Sequence, residues 1–232
     1  MVAAPAASAR SQGTADPDAL YAGRSDLQIA RQAADIWANR LARTPQDFES
    51  AWKLARARYW LGGHASGDQI RVEFEAGAAA ARQAAQLRPQ RPEGHFWLAA
   101  NLGGLAETQG RLTGLRLRKE IKSELERVLT IDAAFQDGSA DRALGRWYMK
   151  VPRLFGGSRT KAEIHLRRSL RYNSESTASL FFLAELLVDD DRTAEAAEVL
   201  RRVENAPINP AWEAEDREFK AKAARLLETV RP

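Results

Sequence analysis

The side chains able to do chemistry in this chain are few, and they do not converge in sequence. The histidines are His64, His95 and His165. None has a partner at ligand spacing, and no H-E-x-x-H signature or His/Asp/Glu cluster accompanies them, so no metal site is expected. There is no cysteine, which removes thiolate ligands, disulfides and cysteine nucleophiles. The G-x-S-x-G elbow, the P-loop and the G-x-G-x-x-G turn are all missing. The residues therefore predict no enzyme and no cofactor.

Two polar clusters invite a ligand reading. Gly156-Gly157-Ser158-Arg159-Thr160-Lys161 precedes a helical stretch, where free N–H groups and two cations could hold an anion. A helix start explains the same residues more simply, because Thr160-x-x-Glu163 fits a capping box. Asp189-Asp190-Asp191 lacks the alternating spacing of a calcium loop and reads as a solvated turn.

Charge points the same way. Lys plus Arg is 35 and Asp plus Glu is 31, a surplus of four. The signs are interleaved, as in Arg116-Leu117-Arg118-Lys119-Glu120, so no nucleic-acid footprint is expected. No apolar run reaches the roughly 18 residues of a membrane span. Residues 1–14 are rich in Ala, Ser and Pro without an apolar signal core. Ala7-Ser8-Ala9 fits a cleavage site, so the head over 1–16 is read as a signal remnant or a flexible tail.

Whatever these side chains do must be positioned by helices. The chain is 44% hydrophobic, with Ala and Leu prominent and Val and Ile sparse. Trp37, Ala81, Leu125, Leu166 and Leu200 fall into one register, at steps of 44, 44, 41 and 34 residues. A small residue stands four before most of them (Ala33, Gly77, Ala162, Ala196), with Ile121 as the exception. Leu41, Ala85, Leu129 and Leu170 stand four after the first four, so each set shares a helix face. Pro45, Pro89 and Asn173-Ser174-Glu175-Ser176 mark turns.

Ala143-Leu144-Gly145-Arg146-Trp147-Tyr148 followed by Ala162, Leu166 and Leu170 resembles one tetratricopeptide repeat, two antiparallel helices that must stack on neighbours to bury their faces. The expected fold is all-α: a right-handed tetratricopeptide-like solenoid of antiparallel helix pairs over 17–208. A capping helix is expected within 209–232, with Trp212, Phe219, Ala223, Leu226, Leu227 and Val230 on its apolar stripe. Two long loops are expected, at 62–68 and 151–158.

In such arrays the first-helix positions outside the core face a concave groove. Registered on Leu98, Gly145 and Leu183, these are Lys53, Trp60, Phe96, Arg142, Arg146, Met149, Phe181 and Glu185. Cations beside aromatics suit a peptide or a partner protein, Arg pairing carboxylates and rings filling pockets. Trp37, Trp52, Trp97 and Trp147 fall on repeat positions and are read as core.

Gly94-His95-Phe96-Trp97-Leu98-Ala99-Ala100-Asn101-Leu102-Gly103, and Pro152 with Gly156-Gly157 and Lys161-Ala162, resemble a divergent branch of this superfamily. It comprises TatT-like components associated with TRAP transporters and the regulators of microtubule dynamics. The resemblance implies a non-catalytic helical array that binds a partner protein or peptide, such as a periplasmic solute-binding protein, or else a small molecule, apolar or an organic acid, in TRAP-type solute transport. It favours export to the periplasm, with the cytoplasm as the alternative. The lipobox cysteine of TatT-like lipoproteins is missing here.

Overall fold

A computed structural model describes residues 15–230, so most of the expected head lies outside the described residues. The described residues form eleven α-helices and two short 3-10 turns: α1 (Pro17–Ala22), α2 (Leu27–Arg43), α3 (Phe48–His64), α4 (Asp68–Leu87), α5 (Pro92–Thr108), α6 (Arg111–Ile131), α7 (Phe135–Lys150), α8 (Arg159–Ser169), α9 (Thr177–Asp189), α10 (Thr193–Asn205) and α11 (Glu213–Val230). The short turns are Arg153–Phe155 and Pro210–Trp212.

Local chemistry sets the starts. The Asp26 side chain accepts from the Gln28 amide at 2.8 Å and caps α2. Asp47 caps α3 through the Ser50 amide at 3.0 Å, and Ser176 caps α9. Pro92 opens α5, where its missing N–H costs nothing. One expectation shifts here. Ser158, not Thr160, caps α8, accepting from the Lys161 amide at 3.3 Å.

The helices pair in sequence as α3 with α4, α5 with α6, α7 with α8, and α9 with α10, while α2 packs on α3 and α11 on α9 and α10. The register residues Trp37, Ala81, Leu125, Leu166 and Leu200 are all buried. A fully buried leucine of this kind contributes roughly 1.5–3 kcal/mol over an exposed one. Small residues admit the neighbours. A β-carbon on Gly145 would stand 2.6 Å from Leu166 Cγ, and one on Gly77 would stand 2.5 Å from Asn101 Cγ. Asn101 is fully buried, and its amide donates to the Ala55 and Trp97 carbonyls at 3.1 and 2.8 Å, tying α5 to α3.

Two further expectations are corrected. Gly62, Gly63 and His64 belong to α3, so the first long loop shrinks to three residues before α4. Gly62 is a glycine inside the helix because the Phe74 ring of α4 occupies the space a side chain would need. Trp52 is only half-buried, its indole N–H donating to Glu49 at 3.0 Å. The second long loop stands as expected. The Ser158 amide donates to the Tyr148 carbonyl at 3.0 Å, and a side chain on Gly157 would overlap the Val151 carbonyl.

Helix α11 does more than cap the last pair. Ala223 and Leu227 are buried against α9 and α10, while Trp212, Phe219, Leu226 and Val230 pack at the edge of the core. Its carboxylates reach the opposite end of the array. Glu215 takes a bidentate ion pair from Arg24, with Nε donating to Oε1 at 2.9 Å. Glu218 accepts from His64 Nε2 at 2.5 Å. The two ends of the repeat array therefore meet.

Candidate functional site: the chamber on the concave face

Joining the ends turns the groove into a chamber of about 1610 Å³ that stays open to solvent. Each first helix contributes a wall. Tyr59 and Trp60 come from α3, Phe96 and Trp97 from α5, Arg142, Arg146 and Met149 from α7, and Phe181, Phe182 and Glu185 from α9. Phe74 of α4 and Phe219 and Leu226 of α11 complete the apolar lining. The rings interlock: Phe96 meets Trp97 edge-on with centroids 5.0 Å apart, and Phe219 meets Phe182 edge-on at 5.4 Å. Charged side chains share the lining with these rings, among them Glu107, Arg142, Arg146, Glu185 and Glu215.

Seven of the eight sequence-predicted residues line this space: Trp60, Phe96, Arg142, Arg146, Met149, Phe181 and Glu185. Lys53 does not. Helix α1 brings Asp18 to it at 2.9 Å, and Glu49 lies 3.7 Å away, so its charge is spent at the array's end. Trp60, Phe96 and Phe181 are not free groove anchors. All three are buried, and the Trp60 indole N–H donates to the Arg24 carbonyl at 2.7 Å. They support the wall more than they project from it.

The cations differ sharply. Arg146 donates to both oxygens of Glu107, at 2.8 and 2.9 Å, lies 3.5 Å from Glu185 and covers the Phe182 ring at 4.6 Å. Burial opposes its charge, but the Glu107 hydrogen bonds outweigh it and hold the guanidinium above its ordinary value. Arg142 makes no ion pair or hydrogen bond among the described residues, and burial lowers its pKa. Tyr59, at the aromatic position of its repeat, is 40% exposed and turned into the chamber, and its hydroxyl makes no hydrogen bond among the described residues. Enclosure by the chamber walls raises its pKa.

Glu215 interrupts the apolar stripe of α11, three residues after Trp212 and four before Phe219, and Glu218 flanks it; periodicity does not name their partners. Both His64 ring nitrogens face acceptors, the Trp60 carbonyl at 2.7 Å and Glu218 at 2.5 Å. Both contacts are hydrogen bonds only when the ring carries two protons. His95 and His165 are engaged elsewhere, with Glu124 at 2.5 Å and Asp141 at 2.7 Å. Among the described residues no group of three or more His, Cys, Asp or Glu could hold a metal ion, and no helix is long and apolar enough to cross a membrane.

This architecture is an all-α helical-repeat solenoid of tetratricopeptide type. Residues 15–168 match the family model Regulator of microtubule dynamics protein 1-3, and the chain belongs to that family. The crystal structure of TTC0263, a thermophilic TPR protein in Thermus thermophilus, is similar with a TM-score of 0.67 at 20% identity, covering 91% of this chain and 97% of that one. MamA is similar at 0.51 and 13% identity, over 85% of this chain and 95% of its own. No curated protein matches.

Proposed function

We propose that this protein is a non-catalytic binding protein that holds an apolar organic molecule in the chamber between its first helices and α11. The supporting observation is the aromatic-lined space of about 1610 Å³ that α11 walls by reaching the first helices. A peptide groove needs an open concave face, and α11 occupies one side of this one.

A neutral apolar dye, N-phenyl-naphthylamine, tests this reading. Gly103 lines the chamber, and a β-carbon there meets nothing within 4 Å. Gly103→Trp should leave the fold intact, fill the chamber and weaken dye binding at least about tenfold. A wild-type protein that does not enhance the dye's fluorescence, or a variant that binds it equally well, would overturn the reading.

A second reading, contact with a partner protein, has its own observation. Leu112 and Leu154 are 84% and 87% exposed, in the two segments beside Arg111 and Phe155 that line one edge of the chamber. Exposed leucines at a ligand entrance suit a docking partner, such as the periplasmic solute-binding protein that a TRAP-associated role would require. Crosslinking from position 112 to a co-expressed solute-binding protein would support it, and its loss in a Leu112→Asp/Leu154→Asp variant would localise it.

A further inference from the structure

We propose that the chamber's ligand ends in a single carboxylate and that Arg142 binds it. This rests on the chamber being a ligand site, and it adds the chemical class.

Three cations in the chamber lining are partly enclosed: Arg118, Arg142 and Arg146. Arg146 is consumed by Glu107 and Glu185. Arg118 donates to the Leu115 carbonyl and covers the Phe155 ring at 5.3 Å. Arg142 alone of the three has no partner among the described residues. Its guanidinium faces the chamber without a counter-charge, so its fork of N–H donors is free to take a bound carboxylate.

The carboxylates whose fields reach Arg142 belong to Asp137 and Asp216. Neither stands within 4.0 Å of it, and both are held by other donors. Asp137 accepts from the Asn173 amide at 3.2 Å. Asp216 accepts from the Thr177 hydroxyl at 2.5 Å and the Asn209 N–H at 2.8 Å. These two negative charges limit what Arg142 can accept. A single carboxylate matches its planar fork, whereas a doubly charged phosphate monoester would meet Asp137 and Asp216.

Three further polar groups of the lining make no hydrogen bond among the described residues: the Tyr59 hydroxyl, Gln136 Oε1 and the Trp97 indole N–H, the last two buried. Gln136 and Asp137 both hold left-handed backbone, with φ of 46° and 57°, at the opening turn of α7. Such strain costs a non-glycine residue roughly 1–2 kcal/mol, and structures keep it where a side chain must be aimed. Arg142 thus stands among aromatic walls as the partly enclosed cation that no protein carboxylate or carbonyl takes up among the described residues.

Dansyl-labelled undecanoic acid and its primary amide, equal in length and differing in charge, provide the test. The wild-type protein should bind the acid about tenfold more tightly than the amide, as one charge-assisted contact supplies. Arg142→Met should erase the acid's advantage, bringing acid and amide to the same affinity. Equal binding of acid and amide by the wild type would overturn the carboxylate assignment and leave the chamber reading standing. No binding of either would overturn both. Loss of both ligands in Arg142→Met, with its helical circular dichroism unchanged, would make Arg142 a wall residue and also overturn the assignment.

Discussion

Glu215→Ala should cost the protein about 2–3 kcal/mol of stability, although it only trims a partly exposed carboxylate from the edge of the apolar stripe of α11. Arg24 is the reason. Its side chain is only 4% exposed, lies 5.0 Å from the Tyr21 ring and 5.5 Å from that of Trp60, and donates to the Ala211 carbonyl at 3.0 Å. Its one carboxylate partner among the described residues is Glu215, 191 positions away. Truncating that partner leaves a buried charge uncompensated, a defect worth roughly 3–5 kcal/mol in a dry interior. Glu215 keeps 21% of its surface exposed, so water and the Ala211 carbonyl offset part of that cost. Arg24→Met should cost about 1 kcal/mol, because the stranded Glu215 can hydrate. Arg24→Met/Glu215→Ala should lie within about 1 kcal/mol of wild type, since removing both charges together strands neither. Urea unfolding of the four proteins at neutral pH completes the cycle and should give a coupling of about 2–3 kcal/mol. Hydrogen exchange should show the first turns of α11 opening first in Glu215→Ala. A Glu215→Ala protein within about 0.5 kcal/mol of wild type, or single costs that simply add, would refute the view that this pair holds the ends together.

Two glycines should respond to alanine with opposite signs. Gly77→Ala places a carbon 2.5 Å from Asn101 Cγ, so the buried amide must give up its bonds to Ala55 and Trp97 or the helices must part. Overpacking and lost hydrogen bonds outweigh the gain in helix propensity, for a net loss of about 2 kcal/mol in urea unfolding. Gly103→Ala meets nothing within 4 Å and should stabilise by about 0.5–1 kcal/mol. The histidine contacts predict a pH profile. Glu218 raises the pKa of His64, and Glu124 raises that of His95. Their stabilisation is complete below the unfolded imidazole value of about 6.5 and is lost as pH rises through the raised folded values. Glu218, lowered by His64, adds stability present above its unfolded value of about 4.5 and lost as pH falls through its folded one. The urea midpoint should therefore decline on the alkaline side of neutrality, and in His64→Gln/His95→Gln that decline should be nearly flat.

What the sequence revealed and what it hid follow from the range of the forces involved. Trp37, Ala81, Leu125, Leu166 and Leu200 were legible because burial repeats along a helix, and each sits at i, i+4 from a small or apolar neighbour. The concave positions were legible by the same arithmetic, and Arg142, Arg146, Met149 and Glu185 do line the chamber. Lys53 failed because Asp18, on the short helix α1 that packs against α2, takes up its charge. The first long loop failed because Gly62 serves the Phe74 ring, a neighbour that no local glycine rule can name. The closing contacts were the least legible. Arg24 with Glu215, and His64 with Glu218, are polar pairs 191 and 154 residues apart. Periodicity encodes which face of a helix is apolar, and it carries no information about which distant charge meets a given polar side chain. The distinction between Arg142 and Arg146 has the same origin. They occupy adjacent turns of one helix and look alike in sequence. Glu107, on the preceding first helix, meets Arg146 and misses Arg142, and that difference leaves one cation in the chamber without a protein partner among the described residues.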